Sequence, residues 1–153
     1  MKRAALFSFT LFLLAIVYSS CQEDVYMDWK LQNDRWYAAH KSDSGFVTTS
    51  SGLCYKVIHQ GYHRKPSTSS YVIATYKGKL VDGSTFDSGT NAYLGMVSGL
   101  VPGFQEGLKK MNGGGSYIFY IPAKLGYDTA TTYTKIPPHS VLIFEVDLID
   151  SYN

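Results

Sequence analysis

The chain has 153 residues, of which 45% are hydrophobic, 17% charged and 15% aromatic; this is one domain's worth of globular protein and excludes a disordered tail, a collagen-like repeat and a coiled coil. Lys and Arg number 14 against 12 Asp and Glu, a net charge of +2, and Lys2 and Arg3 supply that excess. Beyond residue 20 the chain is neutral, which makes it a poor nucleic-acid binder because phosphate neutralisation needs a basic surface.

Residues 1–20 read as a secretory signal peptide. Lys2 and Arg3 form a positive start, Ala4 to Val17 is an almost unbroken apolar run, and small residues Ser19 and Ser20 precede Cys21. The apolar run is about fourteen residues long, short of the roughly 20 that a spanning helix needs. Small residues directly before a cysteine resemble the bacterial lipobox, although Tyr18 stands where that pattern prefers Leu. The resemblance implies a lipid anchor on Cys21. Gln22, rather than Asp, after the cysteine implies the outer membrane, and Glu23 and Asp24 resemble a surface-export tag. Ordinary secretion to the periplasm is the alternative. If Cys21 carries lipid, Cys54 has no intramolecular partner, so a disulfide framework is excluded and Cys54 reads as a small buried or edge residue, not a reactive thiol.

Residues 21–51 read as a helical extension and linker. Val25, Met27, Trp29, Leu31, Trp36, Tyr37 and Ala39 alternate with charged residues over 24–43, and 42–51 is rich in turn formers. From Gly52 the pattern is mostly β. Leu53 to His59 is a strand, 61–70 a polar loop, and Tyr71 to Tyr76 a second strand. Asp82-Gly83 signals a hairpin between Lys79-Leu80-Val81 and Ser84-Thr85-Phe86. Pro102 suits a first helical turn, and Phe104, Leu108 and Met111 then share one face, with Glu106 and Lys110 paired outside. Asn112-Gly113-Gly114-Gly115 reads as the cap of that helix. Ser116 to Ile121 returns as a strand. In the last strand Leu142, Phe144, Val146 and Leu148 point one way and Glu145 and Asp147 the other. The predicted fold is α+β: an antiparallel sheet wrapped around one short helix, with an N-terminal helical extension.

Five segments, in order, then resemble the FKBP-type peptidyl-prolyl cis-trans isomerases over residues 52–153. They are Tyr76-Lys77-Gly78-Lys79-Leu80, Asp82-Gly83-Ser84-Thr85-Phe86-Asp87-Ser88, Val101-Pro102-Gly103-Phe104-Gln105-Glu106-Gly107-Leu108, Gly126-Tyr127, and Ile136-Pro137-Pro138-His139 followed by Leu142-Ile143-Phe144-Glu145-Val146. The resemblance implies an aromatic proline pocket formed by Tyr76, Phe86, Phe104, Tyr127 and Phe144, with Asp87 at the rim, and Leu100, Val101 and the backbone N–H of Ile136 meeting substrate. It implies proline-containing peptides and unfolded proteins as partners, macrolide inhibitors as pocket ligands, and, in members with helical extensions, dimers, which draws attention to Trp29 and Trp36. Three features depart from the family pattern. Phe104 stands where Trp is usual, the stretch from Ser88 to Gly99 is short and lacks an Arg partner for Asp87, and Asp128 follows Tyr127 where Gly is usual. They keep an alternative open, a non-catalytic binding or chaperone lipoprotein on the same fold.

No other chemistry is marked as well. His59 and His63 lie four apart in a strand-to-loop stretch without a nearby Cys or acidic partner, which is a weak metal signal. The glycine run at 113–115 lacks the Lys-Ser/Thr of a phosphate cradle. The chemistry that the resemblance implies calls for no metal and no cofactor.

Overall fold

The computed structural model describes residues 26–130 and 135–153. The expected signal peptide, Cys21 and loop positions 131–134 lie outside the described residues. Residues 26–40 form helix α1. Six strands follow among the described residues: β1 (Phe46–Thr48), β2 (Cys54–His59), β3 (Tyr71–Lys79), β4 (Thr85–Met96), β5 (Ser116–Ile121) and β6 (Leu142–Tyr152). Helix α2 (Pro102–Leu108) lies between β4 and β5. The strands form one sheet in the order β1-β2-β5-β6-β3-β4, and every neighbouring pair is antiparallel.

The core follows from alternation. Leu142, Phe144, Val146 and Leu148 of β6 are buried, as are Tyr117, Phe119 and Ile121 of β5, while Glu145 and Asp147 face solvent. Against these side chains α2 lays Phe104 and Leu108, with Met111 just beyond its end. Two glycines allow the helix to come this close. A Cβ on Gly107 would lie 2.7 Å from the Phe119 ring, and one on Gly103 would collide with Ile121.

The ends of the elements differ from the sequence reading in instructive ways. α2 stops at Leu108, with Lys109 still in the right-handed region, so the glycine run is not its cap. That run is stitched to the neighbouring loop instead: the Gly113 N–H donates to Arg64 O (3.1 Å) and the His63 N–H to Gly113 O (3.1 Å). Glu106 and Lys110 form no ion pair, because Lys110 lies past the helix end and Glu106 accepts the Ser51 hydroxyl proton at 2.6 Å. The expected linker contains the short strand β1, and β4 runs on to Met96, ten residues past Phe86. Cys54 is a buried free thiol, as expected.

α1 docks by a face that only its aromatic residues mark, not its aliphatic ones. Trp29, Asn33, Trp36, Tyr37 and His40 turn toward the domain at helical spacing, whereas Met27 (63% exposed) and Leu31 (47%) turn away. Trp36 stacks on His40 (4.1 Å between ring centroids) and stands edge-on to Tyr120 (4.9 Å), whose ring stacks in turn on Phe46 (4.2 Å). The Tyr37 hydroxyl donates to the Gly52 carbonyl, and burial pushes its pKa up, with the Cys54 thiol adding to the shift. Trp29 and Trp36 are therefore spent on the chain's own domain.

Helix propensity alone favours Ala over Gly by about 1 kcal/mol. Gly107→Ala should nevertheless destabilise the protein, because overpacking against Phe119 costs about 1–3 kcal/mol. Urea denaturation reads the sign directly, and a stabilised Gly107→Ala would contradict the close-approach argument.

Candidate active site

Phe144 is the hub of an aromatic cluster. Its ring meets Phe104 at 4.7 Å and Phe86 at 5.4 Å, both edge-on, and lies tilted 6.3 Å from Tyr76. Phe104 in turn stands edge-on to Phe119 at 5.9 Å. Edge-to-face contacts of this kind are each worth about 0.5–1.5 kcal/mol beyond area burial. Gly78 of β3 lies directly opposite Phe144 in the sheet register, and a Cβ there would sit 2.5 Å from Phe86 and 2.9 Å from Phe144. The missing side chain is what lets the two rings lie across the strand.

In front of these rings a cavity of about 280 Å³ opens, lined by Tyr76, Asp87, Leu94, Gly99, Leu100, Val101, Phe104, Tyr127 and Phe144. It is bounded by β3, β4, the segment leading into α2, α2 itself, the loop after β5, and β6. The structure thus brings together seven of the residues singled out from the sequence. The side chains of two others do not line the cavity. Phe86 is 8% exposed and backs the wall through Phe144, and the Ile136 side chain is buried in the core cluster. Leu94 and Gly99 join the lining without having been singled out, since the stretch from Ser88 to Gly99 carries no clean alternation.

The rim is held by hydrogen bonds. The Tyr76 hydroxyl donates to Asp87 Oδ2 at 2.8 Å, and the Ser88 N–H donates to Oδ1 at 2.9 Å, so Asp87 is partnered without an Arg. Burial, then the hydrogen bond and charge of Asp87, then Tyr127, push the Tyr76 pKa up to about 12. The phenol therefore stays a neutral donor at physiological pH. Gln105, on α2, donates its Nε2 protons to Leu100 O (2.7 Å) and Ser98 O (3.2 Å), pinning the segment that carries Leu100 and Val101.

A second, larger groove of about 790 Å³ crosses the solvent side of the sheet past Ile58, Thr75, Lys77, Ser88, Glu145 and Asp147. It is broad and mixed in character. The convergence of rings lies at the smaller cavity, which makes it the candidate site. Among the described residues no cluster of three or more His, Cys, Asp or Glu could hold a metal. His59 is engaged with the backbone, its Nδ1 donating to Gly114 O at 3.1 Å.

A family model described as FKBP-type peptidyl-prolyl cis-trans isomerase matches residues 62–149, more than half of the chain. The chain belongs to this family. It is 37% identical over 123 residues to the outer membrane protein MIP of Legionella longbeachae, covering 78% of this chain and 53% of that protein. It is 36% identical over 124 residues to a probable FKBP-type peptidyl-prolyl cis-trans isomerase FkpA of Neisseria meningitidis serogroup B, covering 78% of this chain and 45% of that protein. The chain spans about half the length of these curated relatives. The crystal structure of FkpA from Escherichia coli superposes with a TM-score of 0.83 at 31% identity, over 95% of this chain and 71% of that one. Family and fold are those that the sequence motifs imply.

The Tyr76 pKa has a consequence for stability. An acid whose folded pKa is raised keeps its proton in the folded state after the unfolded chain has lost it. Its contribution is therefore complete below the ordinary tyrosine value of 10 and is lost as pH rises toward about 12. The stability difference between the wild type and Tyr76→Phe, read by denaturant titration, is expected to be constant from pH 7 to about 9. Above that range it should move against the wild type. A difference that stays flat through pH 12 would contradict the raised pKa and the burial and Asp87 contact that cause it.

Proposed function

We propose that the protein catalyses cis–trans isomerisation of X–Pro bonds in proteins that fold outside the cytoplasm, tethered in the cell envelope by a lipid on Cys21. The observation that carries the reading is the convergence of Tyr76, Phe104, Tyr127 and Phe144 on one open cavity. The Ser19-Ser20-Cys21 sequence supports the anchor, and the name of the Legionella relative, an outer membrane protein, supports the location. Exposed Met27 and Leu31 on α1 support pairing of two copies through the extension.

An X–Pro amide prefers trans by only about 0.5–1 kcal/mol, yet resonance sets a barrier of roughly 18–20 kcal/mol. No bond has to break. The enzyme must bind the twisted amide better than either planar form. A twisted amide has lost much of its charge separation, so a ring-lined apolar cavity favours it over the polar ground state. A barrier lowered by about 4 kcal/mol gives roughly a thousandfold rate gain.

In this reading Phe104 is the floor, and Phe144 and Tyr76 are the walls, with Phe86 bracing them from behind. Leu100 and Val101 form one side of the mouth. Tyr127 and the Ile136 backbone N–H meet carbonyls of the bound peptide. Asp87 acts through Tyr76, orienting the ring. Macrolides that fill the same cavity should compete with peptide. The open cavity supports catalysis over the binding-only alternative, which a filled pocket would favour.

An isomerisation assay on a short prolyl peptide tests the proposal, and a rate no higher than buffer would falsify it. Phe144→Ala should abolish most activity and cost about 3–5 kcal/mol of stability through lost packing. Tyr127→Phe removes one hydrogen bond, so kcat/KM should fall by up to about tenfold with the fold intact.

A further inference from the structure

We infer that α1 is a working part of the pocket: Asn33 and Trp29 are positioning residues that fix the turn 137–141 and, through it, the side of the cavity that carries Tyr127. The inference rests on the isomerase reading for its activity arm and on geometry alone for the rest.

Asn33 is completely buried although it sits in a helix and carries a polar amide. Both ends of that amide are used. Nδ2 donates to Trp29 O at 2.8 Å, and Oδ1 accepts the Val141 N–H at 2.8 Å. Val141 lies one residue before β6, where the sheet offers its N–H no partner, and a buried N–H without an acceptor is costly. Asn33 does there what another strand would do. One turn earlier on the same helix, Trp29 Nε1 donates to Ser140 Oγ at 3.0 Å, and that hydroxyl donates to Pro137 O at 2.6 Å. Two adjacent residues of the turn are thus bound to two adjacent turns of the helix.

The turn they hold needs holding. His139 (φ 64°) and Asp128 (φ 47°) both occupy the left-handed region that non-glycine residues avoid, at a cost that surrounding contacts must offset. The two are joined directly, the His139 N–H donating to Asp128 O at 2.6 Å. Asp128 follows Tyr127, which lines the cavity. A loosened turn therefore moves Tyr127 relative to Phe144, which β3 and β5 hold from both sides, while leaving α2 and the Phe104 floor in place. Lost positioning of this kind weakens peptide binding more than it slows the bound amide.

The full-length chain carrying Asn33→Ala tests this by steady-state kinetics on a prolyl peptide and by amide hydrogen exchange. Losing hydrogen bonds of ordinary strength should raise KM about five- to tenfold, with kcat within about twofold of wild type. Exchange should quicken at His139, Ser140 and Val141 while the β5 amides stay protected. Trp29→Phe keeps the ring and loses only the N–H, and should give the same pattern more weakly; it also serves if Asn33→Ala does not fold. An unchanged KM with unchanged exchange at the turn overturns the inference. So does exchange that quickens evenly across β5 and β6, which is mere destabilisation. A wild-type chain without isomerase activity would sink the proposed function and not this one, because the exchange arm still decides the clamp.

Discussion

The pocket depends on one contact, the edge-on meeting of Phe144 and Phe104 at 4.7 Å. Phe144 is delivered by the core face of β6, where every second residue from Leu142 to Leu148 is buried. Phe104 is delivered by a helix of only seven residues, too short to be stable alone. Such a helix is held by what it buries, and it buries Phe104 and Leu108 because Gly103 and Gly107 let its backbone rest on the β5 side chains. The close approach thus does two jobs. It makes the helix worth forming, and it brings the floor of the cavity up to the ring that forms the wall. Gly78 plays the same part on the sheet side, by leaving space for Phe86 and Phe144 across β3.

That arrangement keeps formal charge out of the cavity's interior. The only carboxylate among the lining residues, Asp87, is exposed and turned onto the Tyr76 hydroxyl and its neighbour's N–H. Tyr76 itself is kept neutral by burial and by Asp87. Two groups that could have polarised the site instead satisfy each other at its edge. The field inside is then that of ring faces and edges, which suits a ligand whose reactive form is less polar than its resting form. The lack of an Arg opposite Asp87 matters less than the sequence pattern suggests, since the carboxylate's partners come from Tyr76 and the backbone.

The fold was legible where one periodicity governs one element. β6 alternates cleanly and its core face stands as read, and α2 keeps Phe104 and Leu108 on its buried face although it ends before Met111. β4 was not, because Gly89, Asn91 and Gly95 interrupt its alternation; Asn91 (φ 48°) and Gly95 (φ 80°) take left-handed backbone, and the pairing with β3 shifts register three times. Leu94 is hidden inside that irregular stretch. Within the site, the sequence motifs identify a set of aromatic residues but not the depth of each, so Phe86 behind the wall and Phe144 within it look alike. Asn33 was invisible for a different reason. A polar residue in a helix reads as solvent-facing, and its partner Val141 lies 108 positions away.

Packing alone cannot finish such a site. Apolar burial is non-directional, so it sets how many rings gather but not the position of the chain that carries the mouth. Each flank of the cavity is accordingly fixed by a side-chain amide bonded to backbone. Gln105 takes the carbonyls of Ser98 and Leu100 on one flank, and Asn33 takes the Val141 N–H on the other. The two amides differ in what they tie together. Gln105 ties α2 to its own leading segment, a local contact that the isomerase motif already contains. Asn33 ties a helix outside that motif to a turn inside it. Of the two flanks, the second can be changed without touching the motif, and that places the extension, not the pocket rings, where one member of the family can be made to differ from another.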